Sequence, residues 1–134
     1  MFLSKLNLKQ KKAFLDACIK LVNADGVLAK GEVELIDEFC AEMNIKNRKE
    51  AEMNYDEAIV ELNAVSSLIQ RKQIFFELVR VAYADNVIKP REEQMLKFVI
   101  DSFKLPASDY TKVVSLVREY AKVSRDIKTY VSGK

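Results

Sequence analysis

The chain has 134 residues, 49% of them hydrophobic and 31% charged, with only 3 glycines and 2 prolines, which suits one globular domain rich in helix formers and excludes a disordered chain. Its formal net charge of +2 is far from the basic balance that drives phosphate neutralisation, so nucleic acid is not an expected partner. Histidine is absent, which removes Ser-His and Cys-His catalytic pairs and the commonest transition-metal ligand; without a phosphate loop either, no enzyme is expected.

Apolar residues recur at helical rather than alternating spacing along nearly the whole chain. Asn7 can cap a first helix over about 8–24, with Gln10 at its third position and Phe14, Leu15, Cys18, Ile19, Leu21 and Val22 on one broad face. Gly26 ends it, since glycine accepts the left-handed conformation at little cost. A second helix opens near Lys30 and buries Val33, Ile36, Phe39, Cys40 and Met43. After an acidic connection, a shorter helix covers about 55–65. Leu68 to Ala84 is apolar around most of its circumference and predicts a central helix. Pro90 suits the first turn of the next helix, which Leu105-Pro106 closes. The last helix starts at Ser108 or Asp109, and Tyr110, Val113, Val114, Val117, Tyr120, Ala121, Ser124, Ile127 and Val131 trace one face of it.

The two cysteines, Cys18 and Cys40, lie in these apolar stretches without CxxC spacing, which reads as small buried hydrophobes rather than a zinc site or redox dithiol. The start, MFLSKLNLKQKK, lacks the continuous apolar region of a signal peptide, and no later segment reaches bilayer-spanning length, so the expected location is cytoplasmic.

Shifted by sixty positions, the chain matches itself. KKAFLDACIKLVNADGVLAKGEVELIDEFCAEMNI faces RKQIFFELVRVAYADNVIKPREEQMLKFVIDSFKL: Asp25 meets Asp85, Glu32 meets Glu92, Val27 meets Val87 and Leu28 meets Ile88. Gly26 faces Asn86, and these two residue types adopt the left-handed conformation most readily, so one bend is required twice. The expected fold is therefore an all-α, single-domain bundle of about six to seven helices, built from two pseudo-symmetric helical hairpins over 11–45 and 71–105.

The two elbows, ADGVLAKGE and ADNVIKPRE, each an apolar helix running into Ala-Asp, a short hydrophobic step and a Glu, resemble the TerB-like family associated with tellurite resistance. The resemblance covers most of the chain. It implies a small, non-enzymatic, all-α intracellular module of bacterial stress and membrane-associated systems, one that takes up divalent cations through acidic residues and needs no other cofactor. Carried over by position, the metal candidates are Asp25, Glu32, Asp85 and Glu92. Asn86, in place of the second glycine, departs from the pattern and weakens the second site.

Asp25 and Glu32 also have the spacing of the second half of an EF-hand loop. The first half fails: positions one and three would be Leu21 and Asn23, then Val81 and Tyr83, so the primary carboxylate is missing both times. What remains is a weak hard-cation site for calcium or magnesium, with zinc less favoured. Against it stands a plainer reading. Glu32 and Glu92 fall near the third helical position, where a carboxylate caps its own helix, and Asp25 and Asp85 could accept bonds from the next helix's free N–H groups.

Charge is unevenly spread. Residues 24–57 carry −6, whereas 1–23 and 109–134 carry +4 and +3. Such polarity favours a protein partner or a cation, and the bases of the last helix are too sparse for more than indirect membrane contact. A metal-independent helical interaction or scaffold domain is the alternative function.

Overall fold

Asn7 opens the first helix as its sequence indicates: its side-chain oxygen accepts from the Gln10 amide at 2.9 Å, and the Gln10 side chain accepts from the Asn7 amide. The computed structural model describes residues 1–26, 28–48 and 50–133, and places six helices there: α1 (Leu8–Val22), α2 (Lys30–Met43), α3 (Tyr55–Val65), α4 (Leu68–Ala82), α5 (Pro90–Ser102) and α6 (Ser108–Ser132). No strand occurs among the described residues. Val27, opposite Val87 in the sixty-residue register, lies outside them. None of the helices is long and apolar enough to cross a membrane.

α1 and α4 share the centre. α1 packs on α2, α3, α4 and α5, and α4 packs on α1, α2, α5 and α6, so α4 is central as expected and α1 shares that position. The broad face of α1 is the reason: Phe14, Leu15, Cys18, Ile19, Leu21 and Val22 are all buried. Both cysteines are free and buried, and burial raises the thiol pKa of each, leaving them inert.

The connection from α2 to α3 is anchored on a buried acid. Asp16 of α1 accepts from the Glu52 and Met53 amides at 3.1 and 3.3 Å and pairs with Arg48 at 2.9 Å. The buried charge is thus both hydrogen-bonded and neutralised, as burial requires. Asn54 and Ser67 then cap α3 and α4.

Elements sixty residues apart are built alike. Asn23 and Tyr83 end α1 and α4 with φ/ψ of −96/7° and −93/7°, and Ala29 and Lys89 precede α2 and α5 at −77/149° and −77/155°. Gly26 and Asn86 both take the left-handed conformation, at φ 76° and 73°. The duplicated bend read from the sequence is present at both places. Equivalent side chains also meet, since Gln10 donates to Gln70 at 3.1 Å.

Two expected burials fail. Val33 stands 37% exposed on α2, and only Val114 and Val117 of α6 are buried, while Tyr120, Ile127 and Val131 face solvent. α6 contacts only α4 and α5 substantially, and its 25 residues outrun the body it rests on.

The first elbow approaches the second closely. A methyl group at Gly31, in the first turn of α2, would lie 2.8 Å from the backbone carbonyl oxygen of Ala84. Backbone cannot yield as a side chain tip can. Gly31→Ala is expected to lower stability by about 1–3 kcal/mol in urea unfolding, the usual cost of overpacking; an unchanged midpoint would show that the elbows are free to move apart.

Candidate functional site

The elbows meet at a junction of carboxylates. Glu32 is the third residue of α2 and Glu92 the third of α5, and each reaches back to its own helix start: the Ala29 amide donates to Glu32 Oε1 at 2.9 Å and the Lys89 amide to Glu92 Oε1 at 3.0 Å. Both therefore cap their helices, as the plainer sequence reading expected. Both are also buried, 1% and 2% exposed, although no cap requires burial.

Burial follows from their mutual contact. The two carboxyl groups lie close enough for each to shift the other's proton affinity, and two such neighbours resist being ionised together. Desolvation is the largest influence on both, raising each pKa. Glu92 is pushed up to about 7 by burial first and then by the Glu32 charge, against the pull of its Lys89 amide bond. Glu32 is raised less, because bonds from Ala29 and Glu92 favour its ionised form. Of the two, Glu92 more strongly favours its protonated form. Glu32 Oε2 is buried without a hydrogen-bond partner.

Asp25 and Asp85 join through a residue that sequence reasoning missed. Lys89 Nζ lies 2.8 Å from Asp25 Oδ2 and 3.8 Å from Asp85 Oδ2. Its pKa is raised, chiefly by the hydrogen bond to Asp25, with Asp85 and Glu32 adding attraction. Asp85 Oδ1 is buried without a hydrogen-bond partner, so this residue does not cap the next helix through that atom. The signal for Lys89 was present: it stands at the N-cap position of α5, where Ser, Thr, Asp or Asn is preferred and a cation meets the unfavourable end of the helix dipole. A lysine there has another task.

The structure thus brings Glu32 against Glu92 directly, and Asp25 towards Asp85 through an ammonium. Among the described residues no group of three or more His, Cys, Asp or Glu side chains is arranged to hold a metal ion. The donors present are carboxylate and carbonyl oxygens without thiolate or imidazole, a set suited to hard cations rather than zinc.

Six helices around paired acidic elbows define a small all-helical module. A model of one family, the tellurite resistance protein TerB, matches residues 43–115, more than half of the chain and including the second elbow. The chain belongs to the TerB family. No curated protein and no solved structure matches it.

The proton shared by the glutamates gives a pH dependence of definite sign. Glu92 binds its proton more tightly folded, near pH 7, than unfolded, near its ordinary 4.5. Its contribution is full below about 4.5 and is lost as pH rises to about 7. Glu92→Gln keeps the cap and supplies a permanent donor to Glu32. Urea unfolding of this variant is expected to show a flatter profile between pH 5 and 7.5, and at pH 8 a gain of up to about 3 kcal/mol over wild type. A variant less stable at pH 8 would mean that the glutamates do not share a proton.

Proposed function

We propose that this chain is a non-enzymatic TerB-family module whose elbow junction responds to a hard divalent cation, calcium or magnesium, in a stress-related setting such as tellurite resistance. The observation that carries this reading is two carboxylates on one ammonium, Lys89 Nζ lying 2.8 Å from Asp25 and 3.8 Å from Asp85, beside Asp85 Oδ1 and Glu32 Oε2, which are buried without a hydrogen-bond partner. We take the hairpins α1–α2 and α4–α5 to be related by a pseudo-two-fold axis. The contacts Gln10–Gln70 and Glu32–Glu92, each between residues sixty apart, are what such a relation produces near its axis.

The cation competes with resident charge. It enters as Lys89 withdraws and Glu92 gives up its proton, so uptake is weak, in the range of about 10⁻⁴–10⁻³ M, and releases protons. At pH 8, calcium at tenfold excess over its Kd is expected to raise Tm by about 3–6 °C. The pair Asp25→Asn and Glu32→Gln should abolish the rise. Lys89→Met, which removes the competing ammonium, should tighten binding several-fold by titration calorimetry. Flat titrations with calcium and magnesium in both wild type and Lys89→Met would end this reading.

The caps support a second one. Oε1 of Glu32 and of Glu92 is already committed to a backbone amide, and Asp25 to Lys89, which is what a purely structural clasp needs. In that case the chain is a metal-independent interaction or scaffold domain, and a chelator changes neither its stability nor its partner capture.

A further inference from the structure

α1 and α4 start side by side, at the end of each helix remote from its elbow. The side chain of Gln10, third residue of α1, donates to Gln70, third residue of α4, at 3.1 Å and to Ser66 Oγ at 3.1 Å. Beside that contact the two first turns leave Leu8, Leu68 and Ile69 in solvent, 57%, 49% and 70% exposed. The elbow carboxylates stand at the other ends of these helices, 15 residues on, which is about 21 Å or two screening lengths in 0.1 M salt.

Lysines accompany these apolar residues. Lys12 and Lys72 follow Leu8 and Leu68 by four positions, one turn further on the same helix face, and both are exposed. Lys5 is exposed just ahead of α1. Lys104 is exposed after the end of α5, which Arg71 ties to the start of α4 by donating to the Phe103 carbonyl at 2.7 Å. None of these four lysines forms an ion pair among the described residues. The acids of this end are largely engaged. Glu42 holds the Met1 ammonium at 2.8 Å and the Leu3 amide at 2.7 Å, and Glu61 pairs with Lys9 at 2.9 Å. Asp101 and Asp109 lie on either side of Lys104 in sequence. The balance of this tip is positive.

We propose that the tip formed by the first turns of α1 and α4 docks on an anionic lipid bilayer, with Leu8, Leu68 and Ile69 entering the headgroup layer and Lys5, Lys12 and Lys72 meeting lipid phosphates. Shape and charge select this occupant. The apolar side chains stand out from helix starts, and the cavities of about 480 and 390 Å³ lie elsewhere, beside α6 and beside the first elbow. A partner helix needs a groove to lie in. A second copy set tip to tip would bring lysine against lysine. Apolar side chains among lysines suit a headgroup layer, because each lysine stem packs along apolar neighbours while its ammonium reaches the phosphate. Docked in this way, the elbow junction points away from the lipid.

Co-sedimentation of the full chain with phosphatidylcholine vesicles, with and without about 30% phosphatidylglycerol, tests this. The anionic vesicles should bind at least tenfold more tightly than the neutral ones, and lose about tenfold or more in affinity between 50 and 300 mM salt. A lysine near an anionic surface contributes about fivefold, so Lys12→Glu with Lys72→Glu should weaken binding by about twentyfold or more. Leu68→Ser with Ile69→Ser should weaken it by about tenfold while leaving Tm unchanged, because both side chains already stand in solvent. Val123→Ser with Ile127→Ser, on the exposed side of α6, should leave binding unchanged. The proposal is overturned by equal binding to the two vesicles, by no binding at 50 mM salt, by binding that survives either tip pair, or by loss of binding in the α6 pair. Two further outcomes also overturn it: a dimer in sedimentation of the protein alone that the Leu68 and Ile69 pair abolishes, which gives the tip to a second copy, and capture of a glutamate-flanked helical peptide without vesicle binding, which gives it to an acidic protein.

Discussion

Glu32 and Glu92 meet inside the protein, and two buried carboxyl groups in contact can share a proton far more readily than they can both be charged. The surrounding structure serves that meeting. α1 and α4 deliver the chain to the junction with the same terminal geometry, a left-handed residue turns each elbow, and the first turns of α2 and α5 present the glutamates with one oxygen already fixed on a backbone amide. Gly31 lets the elbows approach to a distance that any side chain would prevent. Lys89 then balances the aspartates that the approach brings together. A folded core could be built without this contact, but two elbows could not be held so close with their acids inward.

Much of the fold was legible because it depends on local chemistry. Asn7 with Gln10, Asn54, Ser67 with Gln70, and Pro90 all mark helix starts through interactions spanning only a few residues, and each start is where the sequence places it. The equivalence of Gly26 and Asn86 was readable for the same reason, since a positive φ leaves a signature in residue type. Facts that depend on which helix lies opposite were not. Val33 and Ile127 fit the apolar period of their helices but stand exposed. Gly31 faces Arg91 in the sixty-residue register, and nothing local distinguishes a glycine that admits a backbone from one that simply lies on a surface.

The candidate site divides along the same line. That Glu32 and Glu92 cap their helices was predictable from position within each helix. That the capping carboxylates touch, so that one titrates near neutrality, is a property of the packing. Desolvation turns an ordinary cap into a group with chemistry, a change that no single elbow carries in its sequence. α6 shows the reverse: its periodicity was read correctly as helix, but its apolar residues serve two faces, and only the one with Val114 and Val117 is buried.

Where identical subunits assemble about a two-fold, whatever one contributes the other must contribute too. Here the two elbows belong to one chain and are free to differ, and Lys89 stands where the first elbow has Ala29. A matched pair of lysines would repel each other across the junction and would offset both aspartates, whereas a solitary one leaves the pair net negative. Within a single polypeptide, residues that face each other need not match, and an odd number of charges can sit between two similar elbows.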